Sequence, residues 1–190
     1  MQGTVQDLIN DYEIISKEAS SCHQYKYRYI EVESKNVRDY ILLSREVRRE
    51  DLRFDKVVCC ASEVRDFVKA TLDTLGFAYL AAEEQLHNIA YLMMSRFKLN
   101  RLNCRMELIY SGKCKRFHVD NVYLRAITTL LGPGTELQLL GESGRSQHVR
   151  TGDTVLLKGK KFPGEMTKVL HKSPKISHLR SPRVVFVMDY

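Results

Sequence analysis

The sequence predicts an α+β protein in which two packed helices precede a sandwich or barrel of short strands. One observation behind this is helical apolar spacing up to about residue 97. The other is an abrupt change near residue 103 to short β segments separated by turns, with no long crossover helix afterwards. In chain order, Gln24–Val32 alternates and reads as a strand. Residues 36–50 carry Val37, Ile41 and Leu42 at the spacing of a short helix. Phe54, Val57, Val58, Ala61, Val64, Val68, Leu72 and Leu75 predict a helix over about 55–75, stopped by Gly76. Leu86, Ile89, Ala90, Met93 and Phe97 predict a second helix over 82–97, with Met93 and Met94 as core filler and not a ligand pair. Strands follow at 105–110, 117–120, 123–131, 135–140, 147–150, 154–158, 167–171 and 183–188. Ser111-Gly112-Lys113, Gly132-Pro133-Gly134 and Gly141–Gly144 supply turns between them.

The 190 residues are read as a single domain with a mainly helical part over 1–102 and a β core over 103–190 that carries the site. A charged fraction of 28% beside 44% hydrophobic residues is that of a folded globular chain, long enough to bury a core without staples. No apolar run reaches the roughly 18–20 residues of a membrane helix, and no export signal opens the chain. Five scattered cysteines (Cys22, Cys59, Cys60, Cys104, Cys114) without a Cys-x-x-Cys pair fit reduced thiols, so the expected location is the cytoplasm. The net charge of +7 is uneven: residues 1–95 balance to −4 and residues 96–190 to +11. A basic half that holds the candidate site suits an anionic substrate, a protein partner or nucleic acid, or is simply a solvated surface.

The chemistry-bearing stretch is Phe117-His118-Val119-Asp120-Asn121. In an extended strand His118 and Asp120 point to one face. By chance about 0.3 His-x-Asp pairs are expected here, so the context has to carry the motif. One further histidine would give two imidazoles and a carboxylate on one side of a metal. This is the facial arrangement of non-haem Fe(II) oxygenases, and it suits Zn2+ as well. His148 follows a polar turn, and His178 sits in a loop among Ser177, Arg180 and Ser181. His171 ends the alternating segment Thr167–His171 before Pro174 breaks it, a rigid place for a ligand. His118, Asp120 and His171 are therefore the expected metal ligands.

Arg183 opens an apolar strand, where a guanidinium is costly unless its donors meet an anion. Its planar fork matches the distal carboxylate of 2-oxoglutarate, with Arg180 as the alternative. Arg125, in another apolar strand, pairs Asp120 or Glu136 or belongs to the pocket. Cys104 and Cys114 flank a hairpin, and Lys158-Gly159-Lys160-Lys161 reads as a solvated turn. There is no phosphate-binding Gly-rich loop, Gly-x-Ser-x-Gly elbow, His-Glu-x-x-His helix or RNA-stacking signature, so nucleotide hydrolysis and serine hydrolysis lack support, and nucleic acid lacks a motif.

Phe117-His118-Val119-Asp120, Leu124-Arg125, Leu131-Gly132-Pro133-Gly134-Thr135-Glu136, Gly152-Asp153, Leu157-Lys158-Gly159, His171-Lys172-Ser173-Pro174 and Arg183–Asp189 resemble an uncharacterised bacterial domain-of-unknown-function family, number eighteen twenty-six. The resemblance covers about residues 50–190. Lys172 stands where that family usually has arginine, and Leu137 where it often has tryptophan. The family has no established activity; some members are encoded near metal-chaperone GTPases, which implies a link to metal supply. More locally, His118–Asn121 with Arg125 and Thr128 resembles the metal-binding strand of prolyl hydroxylases. That resemblance implies a double-stranded β-helix (jelly-roll, cupin-like), Fe(II) and 2-oxoglutarate as cofactors, and Thr128 near the cosubstrate with Arg183. The resulting expectation is an Fe(II)/2-oxoglutarate-dependent dioxygenase of open substrate. Its alternative is a non-catalytic cupin-like zinc protein of metal homeostasis.

Overall fold

A computed structural model describes residues 12–15, 51–75, 77, 82–111, 116–141, 144–175 and 182–190. The expected strand at 24–32 and helix at 36–50, together with Gly76, Cys22, Cys114, His178 and Arg180, lie outside the described residues. The described elements run β1 (Tyr12–Ile15), β2 (Leu52–Val58), α1 (Ala61–Thr74), α2 (Ala82–Phe97), β3 (Leu102–Ile109), β4 (Leu124–Leu131), β5 (Glu136–Leu139), β6 (Gln147–His148), β7 (Thr154–Lys158), β8 (Val169–Lys172) and β9 (Arg183–Asp189). The described residues are mostly sheet with two helices. No described helix is long and apolar enough to cross a membrane.

The strands form a six-stranded sheet of order β1-β7-β4-β9-β3-β2 and a three-stranded sheet of order β6-β5-β8, and every ladder between them is antiparallel. His118 adds an antiparallel bridge to His171 at the edge of the small sheet. From residue 102 onward the chain visits the large sheet at β3, the small sheet at His118, and the large sheet again at β4. It then passes through β5 and β6 in the small sheet, β7 in the large, β8 in the small and β9 in the large.

Period-2 alternation gives the large sheet two working faces. One carries Met106, Leu108, Leu124, Ala126, Leu156, Val184, Phe186 and Met188, packed against Val64, Val68 and Leu72 of α1 and Leu86, Ile89 and Met93 of α2. The other carries Ile109, Ile127, Val155, Leu157, Val185 and Val187, packed against Leu137 and Val169 of the small sheet and against Val149. The layers are thus helices, large sheet, small sheet, and the candidate site belongs to the inner gap. Gln85 of α2 ties the outer layer down with a buried 2.8 Å hydrogen bond to the carbonyl of Gly152.

The expected helix over 55–75 needs correction. Its first residues form β2, paired along its length with β3, and α1 begins only at Ala61. Phe54 and Val58 are four apart, which suits one face of a strand as well as a helix turn, so the spacing alone does not separate the two. Val57, required on the helix's apolar face, is instead exposed. The break falls at Cys59-Cys60, where Cys60 is extended and the Glu63 carboxylate accepts from the Cys59 amide at 2.8 Å, closing the helix start. The second helix occupies 82–97, with Leu86, Ile89, Ala90, Met93 and Phe97 buried as its spacing requires. Of the strand expected at 117–120 only the His118 bridge forms.

Candidate metal centre

His118 and His171 face each other because their backbones pair: each amide donates to the other's carbonyl at 3.0 Å. Their rings lie 4.6 Å apart, centre to centre. Two residues on, Asp120 turns into the same space, and one ligand atom from each of His118, Asp120 and His171 lies within 4.8 Å of the others. His118 Nε2 is 3.3 Å from Asp120 Oδ1, and His171 Nε2 is 2.8 Å from Asp120 Oδ2. His118 Nδ1 is 2.9 Å from the Arg116 carbonyl. If that nitrogen carries the proton, Nε2 keeps its lone pair for the centre, the usual way a backbone acceptor orients a metal-binding imidazole.

Asp120 is set by its neighbours. Burial alone would raise its pKa, but the hydrogen bond with His171, the Arg125 charge and the two imidazoles outweigh it and hold the carboxyl down to about 2. Its buried Oδ2 has Arg125 Nη1 and His171 Nε2 within 2.6 and 2.8 Å. Two imidazole nitrogens and a permanently ionised carboxylate, converging within ligand reach, are a donor set that fits a divalent metal such as Fe2+ or Zn2+.

Arg125 answers the question its sequence context left open: it does not pair with Glu136. Its Nε and Nη2 donate to the two Asp189 oxygens at 2.6 Å each, while Nη1 reaches Asp120. Glu136 instead meets Lys172 at 3.0 Å, and Lys172 sits 4.5 Å over the Phe117 ring.

The triad opens onto a cavity of about 490 Å3 between the sheets, lined by Ile109, Ile127, Val185 and Val187 along with Arg53, Arg105, Arg125 and Arg183. Arg183 is 2% exposed. Its Nε donates to the Pro133 carbonyl at 2.9 Å, and its Nη2 donates to Thr129 and Thr135 hydroxyls at 3.0 and 3.1 Å. The Gly132–Thr135 block therefore wraps this guanidinium. Gly132 has φ of +83°, and a Cβ there would come 3.2 Å from the Arg183 Cα, so both backbone shape and space favour glycine.

The structure thus brings His118, His171, Arg125 and Arg183 to one cavity, with Asp120 beside the two histidines. Thr128 does not join them. It lies on the opposite face of β4, fully buried, and shares a 2.6 Å hydrogen bond with Thr154. One-residue parity is the reason: Arg125, Ile127 and Thr129 point inward and Thr128 cannot. His148 is exposed on the short β6. Cys104, on the helix side of β3, has its thiol pushed up to about 12, mainly by burial. Sequence reasoning missed Asp189, Arg105, Glu107 and Arg53. A usable signal existed in charged residues at inward positions of otherwise apolar strands.

The Lys158–Lys161 segment also does more than turn the chain. Its Gly159, Lys160 and Lys161 amides donate to the carbonyls of Tyr123, Asp120 and Val122 at 2.9, 2.8 and 3.0 Å, fixing the backbone that presents Asp120.

The chain belongs to the family described as protein of unknown function (DUF1826), whose model matches residues 42–189. No curated protein of known function matches it by sequence. Among solved structures it is similar to dioxygenase for auxin oxidation 1 from Arabidopsis thaliana, in a complex with 2-oxoglutarate. The identity is 12% and the TM-score 0.45, over 73% of this chain and 62% of that one. The rice dioxygenase for auxin oxidation gives 19% and 0.45, over 73% and 55%. A Pseudomonas putida prolyl-4-hydroxylase gives 16% and 0.41, over 97% and 95%. The chain therefore spans less than two thirds of the length of either plant enzyme.

Proposed function

We propose that the two sheets form a double-stranded β-helix and that the protein is an Fe(II)- and 2-oxoglutarate-dependent oxygenase. The observation that carries this reading is one cavity lined by His118 and His171, which converge with Asp120 as a donor set, and by a buried, pre-oriented guanidinium, Arg183. His118, Asp120 and His171 hold the metal; Arg183, whose Nε and Nη2 are fixed by Pro133, Thr129 and Thr135, presents its positive charge to the far carboxylate of 2-oxoglutarate. Iron held there would supply the oxidising chemistry with O2 as the oxidant, one oxygen atom going to the 2-oxo acid, which leaves as succinate and CO2, and the other serving to oxidise a second substrate.

The protein's own residues supply geometry and dryness. Ile127, Val185 and Val187 line an apolar wall that suits the methylene part of the acid and keeps out water. Arg125, itself clamped by Asp189, reaches Asp120 at 2.6 Å and fixes where the carboxylate points.

Metal analysis of protein purified without added metal, repeated on His118→Ala and Arg183→Ala, tests this. Loss of metal in His118→Ala, with metal kept but 2-oxoglutarate binding lost in Arg183→Ala, is the expected result. Anaerobic addition of Fe(II) and 2-oxoglutarate to the wild type should also give a weak visible charge-transfer band. Stoichiometric zinc with no response to 2-oxoglutarate would replace the oxygenase reading with a zinc-binding protein. Absence of any bound metal would remove both.

A further inference from the structure

Among the described residues four arginines line the cavity, and three of them hydrogen-bond to protein groups. Arg183 is held by a carbonyl and two hydroxyls, Arg125 by Asp189 and Asp120, and Arg53 by a two-point contact with Asp55 at 2.7 and 2.8 Å. Arg105 is different. Its side chain is only 19% exposed, yet its buried Nε makes no hydrogen bond among the described residues. The nearest carboxylates are Glu107, 3.3 Å from Nε, and Asp189, 3.9 Å from Nη1. Asp189 already spends both oxygens on Arg125, and Glu107, two residues along the same strand, stays at 3.3 Å without a hydrogen bond to the buried Nε. On the strands to either side, Arg105 is paired with Val187 and with Asp55, and Asp55 is committed to Arg53.

A guanidinium turned inward with its buried Nε unmatched by a hydrogen bond, in a partly apolar cavity, is a cost that a bound anion removes. Arg105 also lies close to the reacting end: it neighbours Asp189, which holds Arg125, which holds Asp120. From this we propose that Arg105 is the anchor for the oxidised substrate, and that this substrate is a small molecule carrying a carboxylate or a phosphate group. The inference rests on the reading of His118, Asp120 and His171 as the reacting end. It assigns Arg183 to the cosubstrate and Arg105 to the substrate, so the two anions occupy separate guanidinium sites. A cavity of about 490 Å3 falls within the roughly 300–1,000 Å3 of small-ligand sites, enough to hold both.

Acetate and inorganic phosphate are the probes, titrated by NMR into the full chain, both metal-free and loaded with Mn2+ and saturating 2-oxoglutarate. Arg105→Gln should weaken binding of the preferred probe about ten-fold or more, the scale of a hydrogen bond to a charged group, with 2-oxoglutarate affinity within about two-fold of wild type. Arg183→Gln should do the reverse. Glu107→Gln, which frees Arg105 from its one close carboxylate, should tighten the same probe several-fold, roughly the effect of one screened charge pair. That variant keeps the proposal testable if Arg105→Gln fails to fold. Broadening of the probe's resonance by Mn2+ places it near the triad. The stronger of the two probes decides between carboxylate and phosphate.

The proposal is overturned if neither probe binds, if Arg105→Gln leaves probe binding unchanged, or if Glu107→Gln does not strengthen it. It is also overturned if Arg105→Gln weakens 2-oxoglutarate as much as the probe, because Arg105 then belongs to the cosubstrate. Failure of Mn2+ to bind counts against the metal reading instead, and the metal-free titration still reads Arg105.

Discussion

Asp120 concentrates the chemistry of the site in one side chain, and its ionisation has a consequence that does not need a metal. Its folded-state pKa of about 2 lies below the value of about 3.9 for an unperturbed aspartate. A carboxylate depressed on folding stabilises the native state above its unfolded pKa, and that contribution is lost as pH falls toward the folded value. Metal-free protein should therefore lose stability between about pH 4 and pH 2, and Asp120→Asn should flatten this part of the profile. Urea unfolding midpoints of both proteins across that range decide the matter, because Asp55, also depressed, is common to both. Identical slopes would show that Asp120 is not held as described. The residue was legible because His-x-Asp is a short, local pattern. Its keeper, Asp189, was not: it contacts Arg125 from sixty-four residues away, and no local spacing encodes a carboxylate that meets a guanidinium across two strands.

At the level of elements, the strands were easier to find than their edges. β7 was placed residue for residue, and β4, β8 and β9 within two residues, because apolar runs between Gly and Pro signals leave few choices. β2 was lost to a helix because partly buried Phe54 and buried Val58 continue into the spacing of α1, and only pairing with β3 separates them. Lys158–Lys161 was read as a solvated turn because its role lies in backbone amides, which the side-chain sequence hides. That role is testable at Gly159. A Cβ there would stand 1.9 Å from the Val122 carbonyl oxygen, which is backbone and cannot swing aside. Gly159→Ala should push the 120–123 segment away, costing about 1–3 kcal/mol of stability as overpacking does. It should also weaken metal binding by about ten-fold or more, as displaced ligands do when their supporting shell is altered. Isothermal titration with Zn2+ and a thermal melt measure the two effects. Unchanged metal affinity despite a lowered Tm would show that this turn stabilises the fold without positioning Asp120.

The whole molecule is organised by one sheet used on both sides. The outward residues of β3, β4 and β9 pack the helices, and their inward neighbours build the cavity, so the same strands serve stability and site. The order of the sheets was only partly legible, since alternation shows that a strand has two faces but not which strands neighbour each other. We propose that the helical and β parts unfold as a single cooperative unit, because the apolar layer between them is continuous through Phe186. That side chain is fully buried on β9 and meets Phe67 of α1 with ring centres 6.2 Å apart. Phe186→Ala removes one of the two rings of this contact and should cost roughly 3–5 kcal/mol, the range for emptying a buried phenylalanine. Far-ultraviolet dichroism follows the helices, and tyrosine fluorescence, usable because the chain has no tryptophan, follows the tertiary packing. Both should shift to lower denaturant by the same amount and stay coincident. If the helical signal in Phe186→Ala melts first while the tyrosine transition stays at its wild-type midpoint, the helices are a separable layer, and the large sheet keeps its cavity without them.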